Sequence, residues 1–268
     1  MITEKQILEI REHLEKAQNP VFFYDNDADG LCSFILLRKF IGRGKGVAVR
    51  SFPNLDARYA KKVFELKADY VFVLDKPILS REFVEEIDKL NLPLVWIDHH
   101  DIPPQHWEKE FSNFFIYNSA RTEKKNRQDK PVTYWSYKVS NREEDVWLAV
   151  VGCVADHHLP DFSNIFESNY PDLWKKNAKD PFEVYYETEI GKIAQALNFG
   201  LKDSFSNVVK LQNFLIALKN PHEFFEESPA NHTMRKKYLE VKKKYDVLIS
   251  EAIENVKGKV LFFSYSGE

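Results

Sequence analysis

Residues 93–101 read Pro93-Leu94-Val95-Trp96-Ile97-Asp98-His99-His100-Asp101, an apolar run that stops at four titratable side chains. Leu94 to Ile97 reads as a strand buried on both faces, and such strands belong to parallel sheets covered by helices. The chemistry then sits at the strand's carboxyl end, the edge of an open α/β sheet where ligands bind. An Asp beside two His offers oxygen and imidazole ligands suited to a divalent ion such as Mn²⁺ or Zn²⁺. Alone, the tripeptide reads as well as an N-cap Asp followed by two loop histidines. Three further acidic stretches decide between these readings.

At 268 residues the chain suits an α/β domain plus a helical extension or a second small domain. It holds 44% hydrophobic residues and no run of about 18 apolar ones, and its N-terminus lacks a signal-peptide pattern. The expectation is a soluble, cytoplasmic protein with no membrane partner. Cys32 and Cys153 each fall in an expected buried helix, so no disulfide framework is implied. A net charge of -3 argues against a wholly basic nucleic-acid coat but leaves room for a local basic face.

Thr3 and Gln6 form an expected capping box for a helix to about residue 17, with Ile7, Leu8, Ile10 and Leu14 as its apolar stripe. Val21 to Tyr24 is a buried strand, followed by Asp25-Asn26-Asp27-Ala28-Asp29-Gly30. Three carboxylates crowded at a strand end repel one another without a counter-charge, and a metal ion is the simplest one. Gly30 is expected to provide a tight turn into a helix over 31–40. An EF-hand loop is disfavoured, because its Glu position holds Leu36. A strand over 47–52, a helix over 56–66, and the strand Tyr70 to Leu74 ending at Asp75 come next. A helix over 80–90 leads to the 94–98 strand, and a strand over 114–117 to a basic loop over 121–130. Helices are expected over 132–139 and 144–155, the second ending at Asp156, an isolated charge after an apolar run that needs a partner. His157 and His158 follow, but adjacent histidines point in different directions.

Together, Asp25 to Gly30, Asp75, Asp98-His99-His100 and Gly152 to Asp156 resemble the DHH phosphoesterase family over roughly residues 20–160, in its RecJ-like exonuclease branch. The resemblance implies a parallel sheet flanked by helices. It implies Asp27, Asp29, Asp75, His99 and Asp156 as metal ligands, Asp75 bridging two Mn²⁺ ions, with Mg²⁺ as the alternative. His100 would face the scissile phosphate and Asp98 would orient the histidines. Two divalent ions about 3.5–4 Å apart lower the pKa of a bridging water and neutralise phosphate oxygens. Some members carry a His where this chain has Phe23, and Asp25 stands as the candidate to supply that ligand.

The domain reading is a catalytic α/β core over 1–160, a helical extension over 161–232, and a connecting helix with a first strand of a further domain over 233–268. Helices are expected over 162–174, 182–199, 204–218 and 233–256, the last with Tyr238, Val241, Tyr245, Leu248 and Ile249 on one stripe, then a strand over 259–265. The family's glycine-rich substrate-binding motif does not follow, which reads as a truncation or a short variant. The resemblance implies a metal-dependent phosphodiesterase acting on single-stranded DNA or RNA oligonucleotides, with replication or repair proteins as further partners. Lys124, Lys125 and Arg127, or Arg235 to Lys244, would track a phosphate backbone unless they form solvated faces. The alternatives are a cyclic-dinucleotide phosphodiesterase, a pyrophosphatase, and a non-catalytic replication-associated interaction module. The filled ligand positions speak against the last.

Overall fold

The computed structural model describes residues 2–121, 130–257, 260–261 and 263–264. Its centre is a five-stranded sheet of β1 (Pro20–Asp25), β2 (Lys45–Val49), β4 (Tyr70–Leu74), β6 (Leu94–Asp98) and β7 (Phe114–Asn118). The order is β2-β1-β4-β6-β7 and every pairing is parallel. Counting only these strands, the order is 2-1-3-4-5, so the winding reverses between β1 and β4. Ligands bind in the crevice beyond such a switch point. Asp25 and Asp75 stand at its two sides.

The continuous apolar strands are explained by helices on both faces. Phe22, Tyr24, Phe72, Leu74, Val95 and Ile97 enter one core. It is shared with α1 (Glu4–Lys16), α2 (Ala28–Ile41), α5 (Val132–Ser140) and α6 (Val146–Ala155). Phe23, Val71, Val73 and Trp96 enter the other, closed by α3 (Ala60–Glu65) and α4 (Arg81–Lys89) through Val63, Phe83, Val84 and Ile87. The short strands β3 (Asn54–Leu55) and β5 (Ile78–Leu79) pair beside the sheet and were not anticipated. Both cysteines are buried and free, in α2 and α6.

Helices α7 (Ser163–Asn169), α8 (Pro181–Glu187), α9 (Glu189–Gly200) and α10 (Phe205–Ala217) add to the α2 side of the same core. The expected 162–174 helix is shorter, since Pro171 follows the end of α7 at Tyr170. The expected 182–199 helix is two, because Thr188 is extended and its side chain caps α9 by accepting from Gly191 N–H. The capping box at Thr3 and Gln6 is present, but Leu8 on the expected stripe is 55% exposed while Ile7, Ile10 and Leu14 are buried. β2 ends before the expected Phe52, as Arg50 N–H donates to the Tyr59 hydroxyl and the chain leaves the sheet.

Helix α11 (His232–Glu254), about 34 Å long at 1.5 Å per residue, buries only Met234. Tyr238 and Tyr245 pack on Phe199 of α9, while Ile249 of the expected stripe is exposed. Beyond it β8 (Val256–Lys257) and β9 (Val260–Leu261) form an antiparallel pair where one strand over 259–265 was expected. Among the described residues, no helix is long and apolar enough to cross a membrane.

Candidate metal centre

Each acidic residue of the sequence motif is carried to the sheet's carboxyl edge by a local device. Asp27 is the N-cap of α2, its Oδ1 accepting from Gly30 N–H at 2.9 Å. Asp29 therefore falls in the first helical turn, where the dipole favours a carboxylate. Its two oxygens accept from Val132 N–H at 2.9 Å and Thr133 N–H at 2.7 Å, first-turn amides of α5 that have no partner within the helix. Gly30 is needed for a reason other than the expected tight turn. It is helical, and a Cβ there would lie 2.5 Å from the backbone oxygen of Asp25.

Asp75 has φ +59, a left-handed conformation that Asp tolerates better than most residues. That turn leaves its carboxylate buried at the end of β4. Asp156 caps α6, which lies close to α2 and α5 because Gly152 has no side chain. A Cβ on Gly152 would meet Thr133 Oγ1 at 2.3 Å and Cys32 Cβ at 2.8 Å.

His99 Nε2 is the hub. It lies 3.3 Å from Asp75 Oδ1, 3.8 Å from Asp156 Oδ2 and 3.9 Å from Asp29 Oδ2. Two sets of ligand atoms fall within 4.8 Å of one another, one from Asp75, His99 and His100, the other from Asp29, His99 and Asp156. The donor set fits a hard or borderline divalent ion, being carboxylate oxygens and imidazole nitrogen with no thiolate. Asp75 Oδ1 supports the fit, as a buried oxygen without a hydrogen bond of acceptable geometry among the described residues. Burial and the charges of Asp29, Asp27, Asp98 and Asp25 push the Asp75 carboxyl well up. Burial, then Asp29 and Asp25, push Asp27 up to about 6. Carboxylates so crowded disfavour one another's ionisation, and a cation removes that cost.

His100 is held differently. Its Nδ1 lies 2.8 Å from Asp98 Oδ1, and its backbone N–H donates to Asp98 Oδ2. An ionised Asp98 only accepts, so His100 Nδ1 carries the proton and Nε2 remains for another partner. Burial alone lowers the pKa of His100, but the Asp98 hydrogen bond and charge, with Asp156 and Asp29, bring it above the usual value. Asp98 is fully buried and also accepts from Asn118 Nδ2 at 2.8 Å. Asn118 was not singled out in the sequence, although it stands opposite Asp98 in the β6–β7 register.

Asp25 was expected to complete the ligand set, and its Oδ1 instead lies 2.7 Å from Lys76 Nζ. Lys76 was missed as well. Its signal was a lone charge directly after the apolar β4 strand and Asp75. His157 turns away from the hub, its ring stacked on Phe182 at 4.2 Å, and His158 meets Tyr134 edge-on. Lys124, Lys125 and Arg127 lie outside the described residues. On α11, Arg235 pairs with Glu227, Lys237 with Glu240 and Lys242 with Asp246.

Residues 21–122 match the model of the DHH family, N-terminal domain. That segment is similar to a DHH domain. The matched segment runs from Val21 in β1 past β7 and holds Asp25 to Gly30, Asp75 and Asp98 to His100, but not Gly152 to Asp156. The DHH family is one of phosphoesterases. Curated protein sequences show no match. Among solved structures, RecJ of Thermus thermophilus in complex with Mn²⁺ is similar over 92% of this chain and 38% of its own, with a TM-score of 0.59 and 13% identity. An exonuclease RecJ bound to manganese is similar over 96% of this chain and 71% of its own, with a TM-score of 0.63 and 13% identity. The DHH domain of a member of a ribosomal-protein family is similar at a TM-score of 0.60 and 15% identity, over 94% of this chain and 62% of its own. These likenesses are of fold. The chain spans under two-fifths of the Thermus RecJ chain.

Proposed function

We propose that the protein is a divalent-metal-dependent phosphodiesterase acting on single-stranded nucleic acid, as a RecJ-like 5′ exonuclease or oligonucleotide phosphodiesterase. The observation that carries this reading is the convergence of Asp29, Asp75 and Asp156 on His99 Nε2, beside an Asp98-oriented His100. Asp27, Asp29, Asp75, His99 and Asp156 would hold Mn²⁺ or Mg²⁺. When bound, the metal would supply Lewis-acid activation and neutralise charge on the phosphate. His100, 38% exposed at its side chain, faces the scissile phosphate and gives or takes a hydrogen bond through Nε2. Asp98 keeps that ring in one tautomer, as an orienting carboxylate does in other sites. On this reading residues 1–160 are the catalytic core, 161–232 its helical extension, and 233–268 a connecting helix with a first strand of a further domain.

A polymeric anion, rather than a small phosphate, is supported by the groove beside β2. It encloses about 980 Å³ and reaches the carboxyl edge at Arg50 and Ser51. Arg38, Lys45 and Arg50 line it with no carboxylate partner among the described residues, and Tyr59 and Phe205 offer ring faces. Backbone phosphates seek cations, and unstacked bases seek aromatic faces.

The test is a parallel assay with Mn²⁺ on a dinucleotide, a 5′-phosphorylated single-stranded DNA, the matching RNA, pyrophosphate and a cyclic dinucleotide. Cleavage of the oligonucleotides, abolished by chelation, is expected. Cleavage of pyrophosphate alone would move the assignment to a pyrophosphatase, and inactivity on all five would leave a binding module.

A further inference from the structure

The acidic residues at the carboxyl edge do not form one equivalent set. Asp29, Asp75 and Asp156 face His99 Nε2, whereas Asp25 faces Lys76 Nζ at 2.7 Å. The Lys76 side chain is wholly buried. A buried ammonium keeps its charge only beside a counter-charge, and removing one partner of such a pair strands the other. Asp25 cannot turn this oxygen to a metal ion without leaving Lys76 uncompensated.

Three more observations weaken a second cation position on that side. Phe23, two residues before Asp25 on β1, offers no ligand atom, and its ring is packed in the core against Phe83 and Tyr59. Asp27 Oδ1 is engaged as the α2 cap, which leaves only its Oδ2 for a cation. Both clusters of ligand atoms contain His99, and neither contains Asp25 or Asp27.

We propose that Lys76 brings to Asp25 the positive charge that a second cation would otherwise supply, so that the centre takes one divalent ion on the His99 side instead of two. This rests on the metal-dependent reading above. Lys76 is a positioning residue, since its buried ammonium acts on Asp25 and does not reach substrate.

The experiment is a Mn²⁺ titration of the metal-stripped full chain by calorimetry, with electron paramagnetic resonance of the loaded protein. Wild type should take about one Mn²⁺ per chain and give the hyperfine pattern of an isolated ion. Lys76→Ala releases Asp25 and should raise the count to about two, with a spin-coupled spectrum. Lys76→Arg keeps the charge and should stay at one. Two ions with a coupled spectrum in wild type would overturn the proposal while leaving the metal-dependent reading intact. No bound Mn²⁺ would overturn both. A folded Lys76→Ala protein that still takes one ion would remove Lys76 from the account. If Lys76→Ala does not fold, the wild-type count and spectrum still decide between one ion and two.

Discussion

The sheet's carboxyl edge and helix α11 are both rich in charge, and they use it in opposite ways. On α11, acids and bases sit in water within reach of one another, as Lys237–Glu240 and Lys242–Asp246 do. Such exposed pairs are screened and contribute about 0–1 kcal/mol each. At the carboxyl edge, Asp27, Asp29, Asp75, Asp98 and Asp156 gather around two histidines, and the one buried ammonium there among the described residues is engaged by Asp25. Carboxylates that repel one another in a buried place mark a site built for a cation that the chain does not itself provide. Charge density alone does not distinguish the two regions. The balance of its signs does.

The largest break in that contrast should come from Asp75→Ala. Losing the buried carboxylate nearest the His99 hub should lower kcat with Mn²⁺ by about 10³-fold or more, by analogy with the loss of a preorganised electrostatic contact. A variant cleaving at the wild-type rate would show that the convergence is not a reaction centre. The companion measurement is stability. Asp75→Asn removes one of several repelling buried charges, so the metal-free variant should melt above the metal-free wild type. A large drop would show that Asp75 is structural.

Asp98→Asn should act through His100 alone. Without the carboxylate to fix its Nδ1 proton, kcat should fall about 10–100-fold, as for other orienting partners. Mn²⁺ binding by calorimetry should fall far less than turnover, because Asp98 is in neither ligand cluster and His100 is in only one of the two. Equal losses of binding and turnover would merge the two roles separated here.

Gly152→Ala tests the packing that sets Asp156 in place. A Cβ 2.3 Å from Thr133 Oγ1 must push α6 off α5, at a cost of about 1–3 kcal/mol, read by urea denaturation. The smallest effect belongs to the other region. Lys242→Ala on α11 should change stability by under about 0.5 kcal/mol and leave cleavage of a dinucleotide unaltered. A larger effect would mean that the α11 charges belong to the site after all.

Much of the α/β half is legible because its signals are local. Buried strands ending in Asp25, Asp75 and Asp98 announce a parallel sheet, whereas the switch point comes from the strand order of the folded chain. The helical half is less legible, since its boundaries depend on single residues such as Thr188 and Pro171 acting against otherwise continuous apolar patterns. Gly30 is a partial success. Its importance was visible, but its reason is the close approach of the Asp25 backbone to a helix, which spacing does not reveal.

What the sequence determined by itself was the inventory: which strands are buried, which side chains end them, and the chemical type of donor available. Alternation and apolar runs are properties of neighbouring residues, so they survive without tertiary information. What only the tertiary structure decided was the partner of each charge. Asp25 and Lys76 are 51 positions apart, and Asp29 meets amides more than 100 positions away. Whether a carboxylate is a ligand, a cap or a counter-ion depends on the groups within about 4 Å of it, and chain folding alone brings those groups together.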